Sequence, residues 1–222
     1  MLEKVRSIFQ SGSMALSPAR VAAASAAPPV AGVLRHSNGL REFLSGWDKV
    51  EGRRVLDLGC TSSFNLCYFT DRHHSVYSND LLQECEQSRF QMATDAGPVL
   101  DAARWLGGNL LFSPERFDAV LLWDLVDYMP EPLVKPLLER LTSILRPGGT
   151  ILAYFHTRDA GPESPYFRYH IHDGETLELR PGAPHRLLRI FNNRHVENLF
   201  RGYRSIKFFL ARDNLREVLA VK

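Results

Sequence analysis

The chain has 222 residues, 45% of them hydrophobic and 23% charged, which is ordinary globular usage and argues against a fully disordered or membrane-embedded class; no apolar run approaches the ~18 residues of a spanning helix. Twenty-seven Lys and Arg against 25 Asp and Glu leave a net charge of +2, too small a surplus to draw nucleic acid by bulk electrostatics, so neither nucleic acid nor a membrane is the expected partner and function must come from a site. The three cysteines, Cys60, Cys67 and Cys85, form no CxxC pair, so neither a disulfide framework nor a metal site is expected and a reducing, cytoplasmic setting is the default.

Residues 1–33 read as an accessory segment. MLEKVRSIFQ places Leu2, Val5, Ile8 and Phe9 at helical spacing, and the Ala-, Ser- and Pro-rich tract that follows, to Val33, has the composition of a tether. Pro18 and Arg20 interrupt any apolar core of a secretory signal. The domain proper is expected from Leu34 to Lys222. Leu34, Leu40, Phe43, Leu44 and Trp47 fit a helix with Ser37 or Asn38 near its start.

RRVLDLG carries the first strand, over 55–58, closed by Gly59. A helix over 65–72 leads to SVYSND, a second strand ending at Asp80, then to a helix over 81–96 and a third-strand candidate near Asn109. FDAVLLW, residues 117–123, is apolar on both faces, as a buried parallel strand should be. Apolar spacing predicts a helix over 131–145, stopped by Pro147-Gly148-Gly149, before the fifth strand TILAYFH. ETLELR and HRLLRIF flank Pro181-Gly182-Ala183-Pro184 as a hairpin-like pair, and Asn192 or Asn193 can cap a helix running to about Tyr203. SIKFFLARDNLREVLAVK holds two strands around Asp213-Asn214, a connection too short for a crossover helix, so the pair is antiparallel. The alternation predicts a Rossmann-like, doubly wound α/β fold with a mostly parallel sheet and a C-terminal antiparallel strand pair.

In such a sheet the ligand lies beyond the carboxyl ends of the strands. The loop after the first strand reads Asp57-Leu58-Gly59-Cys60-Thr61-Ser62-Ser63-Phe64, and Gly59 allows a tight turn and a close ligand approach. Asp80 stands where a carboxylate can accept both hydroxyls of a ribose. Each alone has a plain alternative, a strand-to-helix turn and a helix N-cap.

Taken together, RRVLDLGC, SVYSND, FDAVLLWDLVDYMP and LTSILRPGGTILAYF resemble the first, second, fourth and post-fourth segments of class I S-adenosylmethionine-dependent methyltransferases. Within that family the chain looks most like the small bacterial type 11 branch, and the resemblance runs from about Leu34 to Lys222. It implies S-adenosyl-L-methionine as cofactor, with Asp57 and Gly59 at its methionine end and Cys60 and Thr61 on the same loop. Asp80 would hold the ribose, with Leu81 beside the adenine. Asn109 and Leu110 would make a further adenine contact, and Trp123 and Asp124 would face the methyl sulfonium and the acceptor. Thr61 and Ser63 stand where the family's loop carries glycines.

The segment after the fifth strand, HTRDAGPESPYFRYHIHDGETLEL, offers His156, Arg158, Asp159, Tyr166, Tyr169, His170 and His172. Its length and its Gly and Pro punctuation suit an inserted lid or hairpin over about 156–191 that covers an acceptor. His156, at a strand's carboxyl end, is the candidate general base, with Asp124 as the second catalytic candidate; a structural hydrogen-bonding His is the alternative. The excess of Arg and Lys between Arg180 and Lys207 reads as a solvated face. The functional expectation is methyl transfer to a small-molecule acceptor by a monomer or homodimer. The alternatives are a catalytically silent binding protein of the same fold, a nicotinamide-dependent oxidoreductase, against which the missing GxGxxG stands, and a protein-interaction module.

Overall fold

The computed structural model describes residues 32–85, 90–95, 97–158, 161, 165–211 and 213–222. The N-terminal helix and nearly all of the tether expected from the sequence, together with Asp159, lie outside the described residues. In chain order the elements are β1 (Val33–His36), α1 (Asn38–Phe43), β2 (Arg54–Asp57), α2 (Ser63–Thr70), β3 (Ser75–Ser78), α3 (Leu81–Cys85), β4 (Gln91–Thr94), β5 (Gly97–Leu100) and α4 (Ala102–Gly108). There follow β6 (Phe117–Trp123), α5 (Leu125–Tyr128), α6 (Glu131–Ile144), β7 (Leu145–His156), β8 (Pro165–Ile171), β9 (Thr176–Pro184), α7 (Asn193–Leu199), β10 (Ser205–Phe209) and β11 (Leu215–Val221).

Six strands form the central sheet in the order β10-β11-β7-β6-β2-β3. β3, β2, β6 and β7 run parallel, while β11 lies antiparallel to β7 and β10 antiparallel to β11. Side-chain alternation along the strands divides the core into two layers. Leu56, Val120, Leu122, Ile151, Phe155 and Val218 face α6 on one side. Val55, Leu121, Leu152, Tyr154 and Leu219 face α1 and α2 on the other. The doubly wound sheet and the antiparallel terminal pair are as the sequence predicts.

Of a second sheet of three strands, β1-β9-β8, the sequence predicts only β9, which begins in ETLELR. Residues 34–36 were expected to open a helix, yet they form β1, which pairs antiparallel with β9 from Val33↔Leu179 to His36↔Thr176. Ser37 does cap the following helix, its side chain accepting from Leu40 N. β1 is held by charge, since Val33 and Leu34 are exposed and Arg35 is buried. Arg35 donates to Glu217 (2.6 Å) and to Asp213 (2.5 Å). Glu217, itself buried, also accepts from Ser37 Oγ and Gly39 N.

Three further expectations are corrected. The helix expected over 81–96 is corrected in its second half, where Gln91–Thr94 form β4, antiparallel to β5, which opens at Gly97 with a φ of 111° that suits glycine. No strand forms near Asn109, because its N–H closes α4 on the Trp105 and Leu106 carbonyls, and its Nδ2 also donates to Trp105 O. HRLLRIF is no strand either. Leu188 N and Arg189 N donate to the Asp127 carbonyl, and the hairpin partner of β9 is β8, across a turn where Asp173 accepts from Glu175 N and Thr176 N.

Candidate active site

The carboxyl ends of β2, β6 and β7 converge on one region. At the end of β2, Asp57 is buried and its acceptors are engaged. Oδ1 receives Gly59 N (3.2 Å) and Trp123 Nε1 (2.7 Å), and Oδ2 receives Asn65 Nδ2 (2.8 Å). Burial pushes the Asp57 carboxyl above its usual range, against the pull of those donors.

Trp123, at the end of β6, has φ 50°. A bulky L-residue enters that left-handed region at a cost of about 1–2 kcal/mol, which the Nε1 bond to Asp57 and a parallel stack on Tyr169 (4.9 Å between centroids) offset. The β6–β7 register shifts at the same place. The indole lies against Gly59, where an added Cβ would come within 2.5 Å of Trp123 Cδ1. Gly59 thus serves a close approach, and the group approaching is the chain's own tryptophan.

The loop from Thr61 is fastened to β8. Ser62 caps α2 through Asn65 N and meets His170 Nδ1 at 2.7 Å, while Asn65 bridges to Tyr169 O and Ile171 N. Thr61 is exposed and its hydroxyl meets Ser78 Oγ at 3.1 Å. Asp80 is half-buried and its Oδ1 caps α3 through Gln83 N. Cys60 lies beside it, and burial together with Asp80 raises its thiol to about 12, so it stays protonated at neutral pH. Leu81 and Leu110 are fully buried. Asn109 and Leu110 follow α4 and lie on no strand end, and the Leu110 carbonyl is taken by Arg140.

Beyond Trp123 lies a buried cluster of polar side chains. His156 ends β7, and Asp127, on α5, accepts from both its backbone N (2.6 Å) and its Nδ1 (2.9 Å). This leaves His156 Nε2 4.0 Å from Asp124 Oδ2. Burial raises the Asp124 carboxyl to about 7; His156 opposes the rise and Asp127 adds to it. Asp127 is raised by burial against its two bonds from His156. Burial works against protonation of His156, but the hydrogen bond to Asp127 and the charge of Asp124 outweigh it, so its pKa is raised.

Among the buried atoms of this cluster, Asp124 Oδ1 and Oδ2, Asp127 Oδ1, Tyr128 Oη and Tyr169 Oη have no hydrogen-bond partner. Tyr169 lies near enough to Asp124 to influence it, without a bond of normal geometry. Buried polar atoms left unpaired are rare and concentrate where a ligand or catalytic task requires them.

The structure therefore brings together the two catalytic candidates, His156 and Asp124, and places Asp57, Gly59 and Trp123 in mutual contact beside them. Asp80, Cys60 and Thr61 lie on the neighbouring rim. Asp127, Tyr128 and Asn65 carry weight that the sequence reading did not assign. The i,i+3 spacing of Asp124 and Asp127 was the available signal, since it puts two carboxylates on one helical turn.

The sheet order, with its antiparallel β11 inserted beside β7, is the mostly parallel, doubly wound arrangement expected from the sequence. Residues 55–149 match a family described as "Methyltransferase domain", a segment from β2 into β7 that spans less than half of the chain. No curated protein matches the chain.

Among solved structures, a SAM-dependent methyltransferase from Aquifex aeolicus is 16% identical, with 82% of this chain and 88% of that one covered and a TM-score of 0.48. One from Archaeoglobus fulgidus is 17% identical, covering 82% and 91%, with a TM-score of 0.46. The 1,6-didemethyltoxoflavin-N1-methyltransferase of Burkholderia thailandensis is 16% identical, covering 84% and 79%, with a TM-score of 0.45. Likenesses this distant say nothing about the acceptor.

Proposed function

We propose that this chain is an S-adenosylmethionine-dependent methyltransferase in which His156, oriented by Asp127, takes a proton from a small-molecule acceptor beside Asp124. The observation that carries the reading is the buried Asp127–His156 pair with Nε2 turned toward Asp124, in a chain whose residues 55–149 match a methyltransferase domain.

Asp80 fits the ribose end of the cofactor, being a half-buried carboxylate on the rim after β3. At the methionine end the cofactor fits only once the Trp123 indole leaves Gly59 and releases Asp57. When bound, S-adenosylmethionine supplies a methyl group made electrophilic by its sulfonium. The chain's own part is alignment, exclusion of water and removal of the acceptor's proton. With Nδ1–H donating to Asp127, Nε2 of a neutral His156 is the free acceptor, and it faces Asp124 Oδ2 at 4.0 Å.

A catalytically silent protein of the same fold is the second reading, favoured by the closure of the methionine end over Gly59. Calorimetric titration with S-adenosylmethionine, S-adenosylhomocysteine and NAD in parallel separates the two. Binding of either of the first two supports the proposal, and binding of neither, or of NAD instead, overturns it. Once turnover is found, His156→Ala should slow it by about 10²- to 10⁴-fold, with a smaller loss at high pH. Activity within a factor of a few of wild type from about pH 6 to 9 would leave His156 a structural residue.

A further inference from the structure

On the reading that this chain transfers methyl groups, we infer that its acceptor is a small protonated amine, methylated on nitrogen and recognised by Asp124 and Asp127 within a surround of tyrosines. Of the five buried atoms in the cluster without a hydrogen-bond partner, three are carboxylate oxygens, which only accept. The other two are hydroxyls, on Tyr128 and Tyr169. Each hydroxyl can donate once, so the three carboxylate oxygens outnumber the donors beside them, and a ligand that completes the site must bring at least one more.

Charge selects the same ligand. Among the described residues, His156 is the basic side chain in contact with Asp124 and Asp127. Arg216 influences Asp127 but donates Nη1 to the Phe191 carbonyl. With His156 neutral, as the proton acceptor must be, and both carboxyls ionised, the cluster holds negative charge with no cation set against it. A carboxylate or phosphate acceptor would be repelled there, and a neutral alcohol would leave that charge uncompensated. An ammonium group carries the missing charge and three N–H donors. The rings around it also suit a cation. Tyr128 and Tyr166 stand 5.0 Å apart edge to face, Tyr128 stands 5.8 Å from His156, and Tyr169 stacks on Trp123.

The reaction balances with the groups present. The ammonium gives one proton to His156 Nε2, with Asp127 holding the ring that receives it. The freed nitrogen lone pair then forms a bond to the methyl carbon. The carbon–sulfur bond breaks, its electron pair passes to sulfur, and the products are a methylated ammonium and a neutral thioether. The positive charge moves from sulfur to nitrogen, toward the two carboxylates.

The test compares three probes of equal ring and chain length, phenethylammonium, 2-phenylethanol and 3-phenylpropionate, titrated calorimetrically into the wild-type chain with saturating S-adenosylhomocysteine. The amine should bind at least about ten-fold more tightly than the other two, and Asp124→Asn should remove that preference, a ten-fold step being about 1.4 kcal/mol. An alcohol or acid bound as tightly as the amine, binding of none of the three, or an amine preference that survives in Asp124→Asn would overturn the inference. The wild-type ranking decides even if the variant does not fold. Failure of S-adenosylhomocysteine itself to bind would instead refute the methyltransferase reading, and the amine inference with it.

Discussion

Asp124→Asn should stabilise the protein, and increasingly so as pH rises. The side chain is fully buried with both oxygens unpartnered, and burial raises its pKa from 3.8 to about 7. The folded state therefore binds this proton more tightly than the unfolded chain does. The resulting stability is fully present below pH 3.8 and is lost as pH rises through about 7. At ~1.36 kcal/mol per pH unit, the interval from 3.8 to about 7 corresponds to a penalty on the order of 4 kcal/mol by pH 8.

Asparagine mimics the neutral acid in shape and carries no charge, so it escapes that penalty. Urea unfolding of both proteins should show the variant more stable by about 4 kcal/mol at pH 8 and by only about 1 kcal/mol at pH 4.5. At about 2–4 °C per kcal/mol for a domain of this size, the melting temperature at pH 8 should rise by roughly 8–16 °C. A variant less stable than wild type at pH 8, or a difference independent of pH, would refute the account of a buried, unpaired carboxylate. The same substitution is expected to abolish the amine preference, which the three-probe titration reads independently of stability.

Arg35→Ala leaves Glu217 buried without its ion-pair partner, and removing one side of a buried pair costs about 3–5 kcal/mol; a loss below about 1 kcal/mol in urea unfolding would show that β1 is held by its backbone pairing instead. Asp80→Ala should weaken S-adenosylhomocysteine binding about 10- to 150-fold, from a charge-assisted bond of roughly 1.5–3 kcal/mol, and unchanged affinity in a folded variant would remove Asp80 from the ribose. Trp123→Phe deletes the Nε1 donor to Asp57; it should cost about 1–3 kcal/mol of stability, read by thermal unfolding, while a neutral result would mean that Asp57 is satisfied by Asn65 and Gly59 alone.

The sequence by itself determined the elements whose signal is local. The strands RVLD and FDAVLLW, the α6 spacing, and the antiparallel β10–β11 pair follow from apolar periodicity and from a connection too short to cross over. It also placed His156 and Asp124 at neighbouring strand ends, because strand order in such a sheet puts those ends together. What it did not determine depends on partners distant in the chain. β1 is a strand because β9 lends it an edge and Glu217, 182 residues away, neutralises Arg35. β8, and not HRLLRIF, completes the hairpin because Asn65 and Ser62 hold it against the β2 loop. The meaning of Gly59 changed once the Trp123 ring was found against it, and that of Asp127 once His156 was found on it. Periodicity reports which face of an element is buried; which side chain fills that burial, and whether its polar atoms find partners, is decided only when the chain closes on itself.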